Sequence, residues 1–141
     1  MVARRLLLLS AGALLLPVRG FAGPTPAPKD ASLYFITPRD GQRVKSPVYC
    51  RFGLSGMGVT HAGDAYANSG HHHLLVDVKD PLDPNEPIPS DRNHLHFGAG
   101  QTEAKVQLAR GPHTLQLVLG DSAHIPFNPP VVSKKIRITV I

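Results

Sequence analysis

Glycine and proline interrupt this chain at short intervals, and that spacing constrains its fold more than any other feature. The sequence holds 13 Gly and 14 Pro among 141 residues, and both residue types favour turns over long helices. Between the turns lie short runs in which apolar and polar residues alternate. One face of residues 47–54, for example, collects Val48, Cys50, Phe52 and Leu54. Alternation with a period of two predicts β-strands.

The runs number about seven and no segment between them offers a crossover helix, so a parallel α/β fold is disfavoured. We therefore predict an all-β domain over residues 31–141, an antiparallel β-sandwich of immunoglobulin-like or cupredoxin-like architecture. Residues 101–108 and 112–119 are predicted to pair around a turn at 109–111. A Pro-rich leader at residues 23–30 is predicted to be an extended linker or a frayed terminus.

The first 22 residues have the features of a secretory signal peptide. Arg4 and Arg5 precede an apolar stretch, and Gly20 and Ala22 supply the small residues before a cleavage point after Ala22. The apolar run is shorter than the ~20 residues that cross a bilayer. We therefore expect a periplasmic or secreted protein with no stable membrane anchor after cleavage.

Removal of the signal peptide changes the interpretation of the charge. The whole chain has a formal net charge of +5. Loss of Arg4, Arg5 and Arg19 leaves 12 Lys+Arg against 10 Asp+Glu, a net charge of +2. Nucleic-acid binding requires clustered Lys and Arg, and the remaining charges are scattered, so we expect no nucleic-acid partner.

All eight histidines lie between His61 and His124, and strand alternation sorts them. In residues 70–77, His72 falls on the core face with the alternate leucine and valine, which leaves His71 and His73 on the other face. In residues 93–97, His94 and His96 project together. Side chains at i and i+2 of a strand lie about 6–7 Å apart, so two such pairs on neighbouring strands could share one ion.

The sequence thus predicts a transition-metal site, copper or zinc, with copper preferred because the divalent affinity order favours it. The candidate ligands are His71, His73, His94 and His96 first, with His113, His124 and Asp77 as secondary candidates. A pH-sensitive hydrogen-bond network is the competing use of clustered histidines. The single cysteine, Cys50, excludes an internal disulfide framework and is predicted to be a small buried hydrophobe.

Several ordered blocks of this sequence resemble the bacterial domain-of-unknown-function family 4399. They are GHHHLLVD at residues 70–77, NHLHFG at 93–98, GQTE at 100–103 and HTLQLVLGD at 113–121. The resemblance covers about residues 33–141. It implies a short exported bacterial protein and places weight on the histidines, and it supplies no reaction.

Three functions remain open from the sequence. The favoured one is binding of a metal ion for buffering or delivery, with the ion as the partner. The second is a non-enzymatic interaction module that contacts an envelope protein without metal. The third is a mononuclear His-ligated metalloenzyme, which ranks last because no motif places an acid or base.

Overall fold

The computed structural model describes residues 24–141, so the predicted signal peptide at residues 1–22 lies outside the described residues. In the described part the fold is all-β, as predicted, and no helix there is long and apolar enough to span a membrane. The strands are β1 (Ser32–Thr37), β2 (Arg43–Val44), β3 (Val48–Ser55), β4 (Gly58–Val59), β5 (Ser69–Val76), β6 (His94–Phe97), β7 (Glu103–Val106), β8 (Gly111–Gly120) and β9 (Ile136–Val140).

The strands form two sheets, consistent with the predicted sandwich. One sheet has the order β1-β3-β7, and the other has the order β2-β9-β8-β5-β4, with β6 also paired to β5. Most strand pairs are antiparallel, and the exceptions are β2 and β4, which run parallel to β9 and β5. Each of these strands has two residues, too few to produce a period-two signal.

The main hydrophobic core collects apolar side chains from both sheets. The three-stranded sheet contributes Val48, Cys50 and Phe52, and the six-stranded sheet contributes residues such as Leu74 and Leu117. Cys50 is fully buried, as predicted for a small hydrophobe. Burial raises the pKa of its thiol to about 11, so the thiolate that would bind metal is disfavoured there.

The predicted pairing of residues 101–108 with 112–119 is wrong. Strand β7 pairs with β3, whereas β8 lies between β5 and β9 in the other sheet. The turn at residues 109–111 therefore passes the chain from one sheet to the other. A turn signal shows where the chain reverses, but the sheet that receives the next strand is decided by long-range packing.

The Pro-rich leader is attached to the domain over its described part. The backbone N–H of Ala27 donates to the carbonyl of Asn128 at 2.9 Å, and the N–H of Asn128 donates to the carbonyl of Thr25 at 2.9 Å. These bonds hold an extended segment against the loop that follows β8. Residues 25–27 are therefore hydrogen-bonded to the domain.

Candidate metal centre

Strand β5 carries three consecutive histidines that are all buried. His71, His72 and His73 are 0%, 0% and 1% exposed. Side chains alternate across a strand, so His72 faces the main core with Leu74, while His71 and His73 share the outer face with Leu75. Loops cover that outer face, which explains why both faces of β5 are buried. The alternation places His71 and His73 together, as the sequence predicted.

Strand β6 brings a third imidazole to the outer face. It pairs antiparallel with β5, and the register sets His96 directly opposite His73. Directly opposed residues have Cβ atoms about 4.5–5.5 Å apart, so their rings meet. The His73 and His96 ring centroids are 5.1 Å apart.

Two glycines leave the space that these rings occupy. A Cβ built on Gly98 would lie 2.3 Å from Cε1 of His96, and a Cβ built on Gly120 would lie 2.7 Å from Cε1 of His73. Neither glycine has a positive φ angle. Their small size is therefore needed for close approach of an imidazole rather than for an unusual backbone conformation.

The fourth imidazole comes from the loop after β8. His124 has a φ angle of +67°, an uncommon left-handed conformation for a residue other than glycine. The loop is closed by backbone bonds in which the N–H of His124 donates to the carbonyl of Asp121 and the N–H of Asp121 donates to that of Ile125, both at 2.9 Å. This conformation places Nδ1 of His124 3.0 Å from Nε2 of His71.

The four rings form a compact group. One potential ligand atom from each of His71, His73, His96 and His124 lies within 4.8 Å of every other. Their ring centroids are between 4.8 and 6.0 Å apart. Tetrahedral coordination with metal–nitrogen bonds near 2.0–2.1 Å needs nitrogens about 3.3 Å apart. The group could therefore hold one metal ion after a small inward movement of the side chains.

Burial keeps the inner imidazoles in the form that binds metals. Desolvation, reinforced by the neighbouring histidines, lowers the pKa of His71 to about 4 and that of His73 to about 3. Desolvation and His124 also lower the pKa of His96. Neutral imidazole is the metal-binding form, so these rings are available at neutral pH without loss of a proton.

The buried rings also have unmet hydrogen-bonding capacity. Nδ1 of His71 and Nδ1 of His73 have no hydrogen-bond partner among the described residues. A buried polar atom without a partner costs roughly 1–3 kcal/mol. Several imidazoles gathered at such a cost, with no carboxylate in the group, are a donor set suited to a borderline transition metal.

The structure does not bring the other sequence-predicted candidates into this group. Nδ1 of His94 lies 2.9 Å from Oδ1 of Asp91, and His94 stands opposite Leu75 in the strand register. Nδ1 of His113 lies 2.7 Å from Oδ2 of Asp77. His94, His113 and Asp77 are therefore engaged in local His–Asp pairs instead.

His113 also differs from His71, His73 and His96 in the direction of its pKa shift. Desolvation lowers its pKa, but the hydrogen bond to Asp77 and one to the carbonyl of Ala109 outweigh this effect, so the pKa is raised overall. Its second ring nitrogen lies 2.8 Å from that carbonyl oxygen. Two acceptors on the two nitrogens suit an imidazole that donates from both, which is the protonated form.

Two histidines lie outside both arrangements. His72 packs its ring against Phe52 on the core face, with ring centroids 5.2 Å apart, and neither of its nitrogens has a hydrogen-bond partner among the described residues. Burial lowers its pKa to about 4. His61 is exposed and forms an isolated bridge with Ala99.

Sequence reasoning did not assign a role to Gly98, Gly120 or Asp121. A weak signal for the two glycines is their position in the chain. Gly98 directly follows the histidine-bearing strand β6, and Gly120 is the last residue of β8, which pairs with β5. A missing Cβ at such a position leaves room for a ring. A signal for Asp121 is its place three residues before His124, where aspartate commonly caps a turn.

The molecule is thus a β-sandwich domain with a four-histidine cluster that could hold a metal ion. The family model described as "Domain of unknown function (DUF4399)" matches residues 50–141, and the chain belongs to this family. All four clustered histidines lie within the matched segment. Neither a search of curated proteins nor a search of solved structures found a match.

Proposed function

We propose that this protein is exported and binds one copper or zinc ion for buffering or delivery. The ligands are His71, His73, His96 and His124. The observation that carries the proposal is the convergence of four imidazoles, with one potential ligand atom from each within 4.8 Å of all the others. The export part rests on the signal-peptide pattern of residues 1–22.

The donor set favours copper over zinc. Imidazole nitrogen suits both ions, but divalent copper binds a given nitrogen site more tightly in the general affinity order. No sulfur ligand enters the group, and the one cysteine lies in the main core between the sheets. The site is accordingly an imidazole site rather than a mixed sulfur and nitrogen site.

Buffering or delivery requires an ion that can leave, and the site is asymmetric in a way that permits exchange. His71 and His73 are buried, whereas His124 is partly buried and His96 is exposed. His96 also lines a groove of about 680 Å³ between β6 and β7. An incoming ligand can therefore replace the outer imidazoles first, while the inner pair still holds the ion.

Titration of residues 23–141 with Cu(II) and with Zn(II), followed by calorimetry and metal analysis, tests the proposal. We expect one ion per chain, with tighter binding of Cu(II). The variant His96→Ala is expected to bind at least about tenfold more weakly because it loses one ligand. The matched variant His94→Ala, from the same strand, is expected to remain within about twofold of the parent.

Two results would overturn the proposal. One is a parent protein that binds neither ion. The other is a His94→Ala/His96→Ala double variant whose affinity falls by no more than twofold. Stability and partner binding that are unchanged by chelation would favour the envelope interaction module instead.

A further inference from the structure

Asp121 is a buried carboxylate beside the histidine cluster, and it is not one of the cluster's four potential ligands. It is 7% exposed. It follows Gly120, which is the register partner of His71 on β5, and it lies three residues before His124. Asp121 therefore lies next to the strand position opposite His71 and in the loop that carries His124.

Within residues 24–141, each side-chain hydrogen bond of this carboxylate holds the His124 loop or the leader. Oδ1 accepts from the backbone N–H groups of Ala123 at 2.9 Å and Ile125 at 3.0 Å. Oδ2 accepts from the hydroxyl of Thr25 at 2.6 Å. One side chain thus fastens both residues that flank His124 and ties the loop to the extended leader.

The bonds around His124 restrain an uncommon backbone conformation. The left-handed φ angle of this residue is costly for a side chain with a Cβ. It is held by the Asp121 carboxylate on both sides and by the N–H of Ile88, which donates to the carbonyl of His124 at 2.8 Å. A ligand fixed in this way approaches the ion with less loss of conformational freedom on binding.

The carboxylate also supplies charge to a site that otherwise has none. Four neutral imidazoles leave the full charge of a bound ion uncompensated in a partly buried position, and a nearby negative charge stabilises a divalent ion more than a monovalent one. Asp121 directly follows Gly120, the register partner of His71, so its negative charge lies close to the cluster.

We propose that Asp121 has two roles at this site. It is a positioning residue that fixes His124, with support from the Thr25–Asp121 hydrogen bond. Its negative charge makes the site select divalent over monovalent ions. This inference rests on the proposed metal binding. It adds two points to that function. Thr25 of the N-terminal leader helps to support the site, and the site prefers divalent ions.

The test compares Cu(II), Zn(II) and Cu(I) affinities of the parent, Asp121→Asn and Thr25→Val, with Cu(I) measured anaerobically by competition with a chromogenic chelator. Asparagine keeps an oxygen acceptor for the loop N–H groups but removes the charge. We expect Asp121→Asn to weaken Cu(II) and Zn(II) about tenfold and Cu(I) by less than about threefold. Asp77→Asn is the matched control, because Asp77 also accepts a backbone N–H, from Thr114 at 2.8 Å.

Thr25→Val tests the positioning role separately, because it removes the hydroxyl donor and keeps the carboxylate. We expect all three ions to bind a few-fold more weakly, with the divalent preference unchanged. Equal weakening of all ions by Asp121→Asn would overturn the charge role, and unchanged affinities in Thr25→Val would overturn the positioning role. A parent that binds no ion would contradict the proposed function itself, so the two failures are distinguishable.

Discussion

Six of the eight histidines fall into two groups that differ in their partners. The clustered group, His71, His73, His96 and His124, has imidazoles as its main polar neighbours. His94 and His113 instead each contact an aspartate. The inner clustered rings have lowered pKa values, while that of His113 is raised. One residue type therefore serves two purposes, and the neighbouring groups decide which.

The difference teaches that proximity of histidines in sequence is a poor guide to shared chemistry. His94 and His96 are two residues apart on the same strand, yet only His96 reaches the cluster. An imidazole that already has a carboxylate partner satisfies its hydrogen bonds locally. The clustered imidazoles have no such partner in the described part of the chain and share one face with each other, so they are available for an ion.

The largest expected difference between the groups is in metal affinity. His73→Leu removes a fully buried ligand, and we expect affinity for Cu(II) to fall about 100-fold, since zinc-site binding energies shared among four ligands give about 3 kcal/mol each. His113→Leu removes a His–Asp pair, and we expect its affinity for Cu(II) to remain within about twofold of that of the parent. Calorimetric titration of both variants checks this, and equal losses would contradict the division into two groups.

The same division predicts how metal alters stability. A ligand that binds only the folded state at 100 times its Kd adds about 2.7 kcal/mol to the free energy of unfolding. We expect the parent and His113→Leu to gain this amount with Zn(II), as measured by urea unfolding with and without the ion. His73→Leu should gain almost nothing, and a gain equal to that of the parent would contradict the assignment.

A smaller effect is expected from the space beside His96. In Gly98→Ala the added methyl group would lie only 2.3 Å from Cε1 and 2.7 Å from Nε2 of His96, so the ring would have to move. Because His96 is exposed, its ring can swing away at little cost to the fold. We expect about tenfold weaker metal binding with a stability change below about 1 kcal/mol.

Gly58→Ala provides the matched control for this substitution. Gly58 lies in an exposed strand, and an added Cβ would meet no atom closer than 3.7 Å. We expect parental metal affinity in Gly58→Ala. Equal affinities in the two variants would show that Gly98 does not shape the site.

The smallest effect is the pH dependence of the His113–Asp77 pair. The folded-state pKa of His113 is raised above 6.5. The stabilisation that the His113–Asp77 pair gives to the folded state is therefore fully present below the unfolded-state pKa of His113. It is lost as pH rises through the folded pKa. We expect the stability advantage of the parent over His113→Gln to be greater at pH 5.5 than at pH 8.5, by less than about 1 kcal/mol. Urea unfolding at the two pH values measures it, and a larger advantage at pH 8.5 would have the wrong sign.

Part of this architecture could be predicted from local sequence alone. Alternation along a strand is set by backbone geometry, so the shared face of His71 and His73, and the core position of Cys50, followed directly from the residues. The β-sandwich class followed from the spacing of turns. These properties depend only on neighbours along the chain.

The rest depends on contacts between distant segments. The split between His94 and His96 arises from the β5–β6 register and from the Asp91 partner, and neither is encoded in the alternation. His124 enters the cluster because the loop carrying it folds back, with its Asp121 carboxylate bonded to Thr25, 96 residues away in sequence. The sheet that each of β7 and β8 joins is likewise a property of the whole core.

The most direct test of the central claim is a count of imidazole ligands on the bound ion. X-ray absorption and pulsed electron paramagnetic resonance of the Cu(II)-loaded protein measure this count. We predict four imidazoles in the parent and in His94→Gln, and three in His96→Gln. Fewer than three imidazoles in the parent, or the same count in His96→Gln as in the parent, would contradict a site built from His71, His73, His96 and His124.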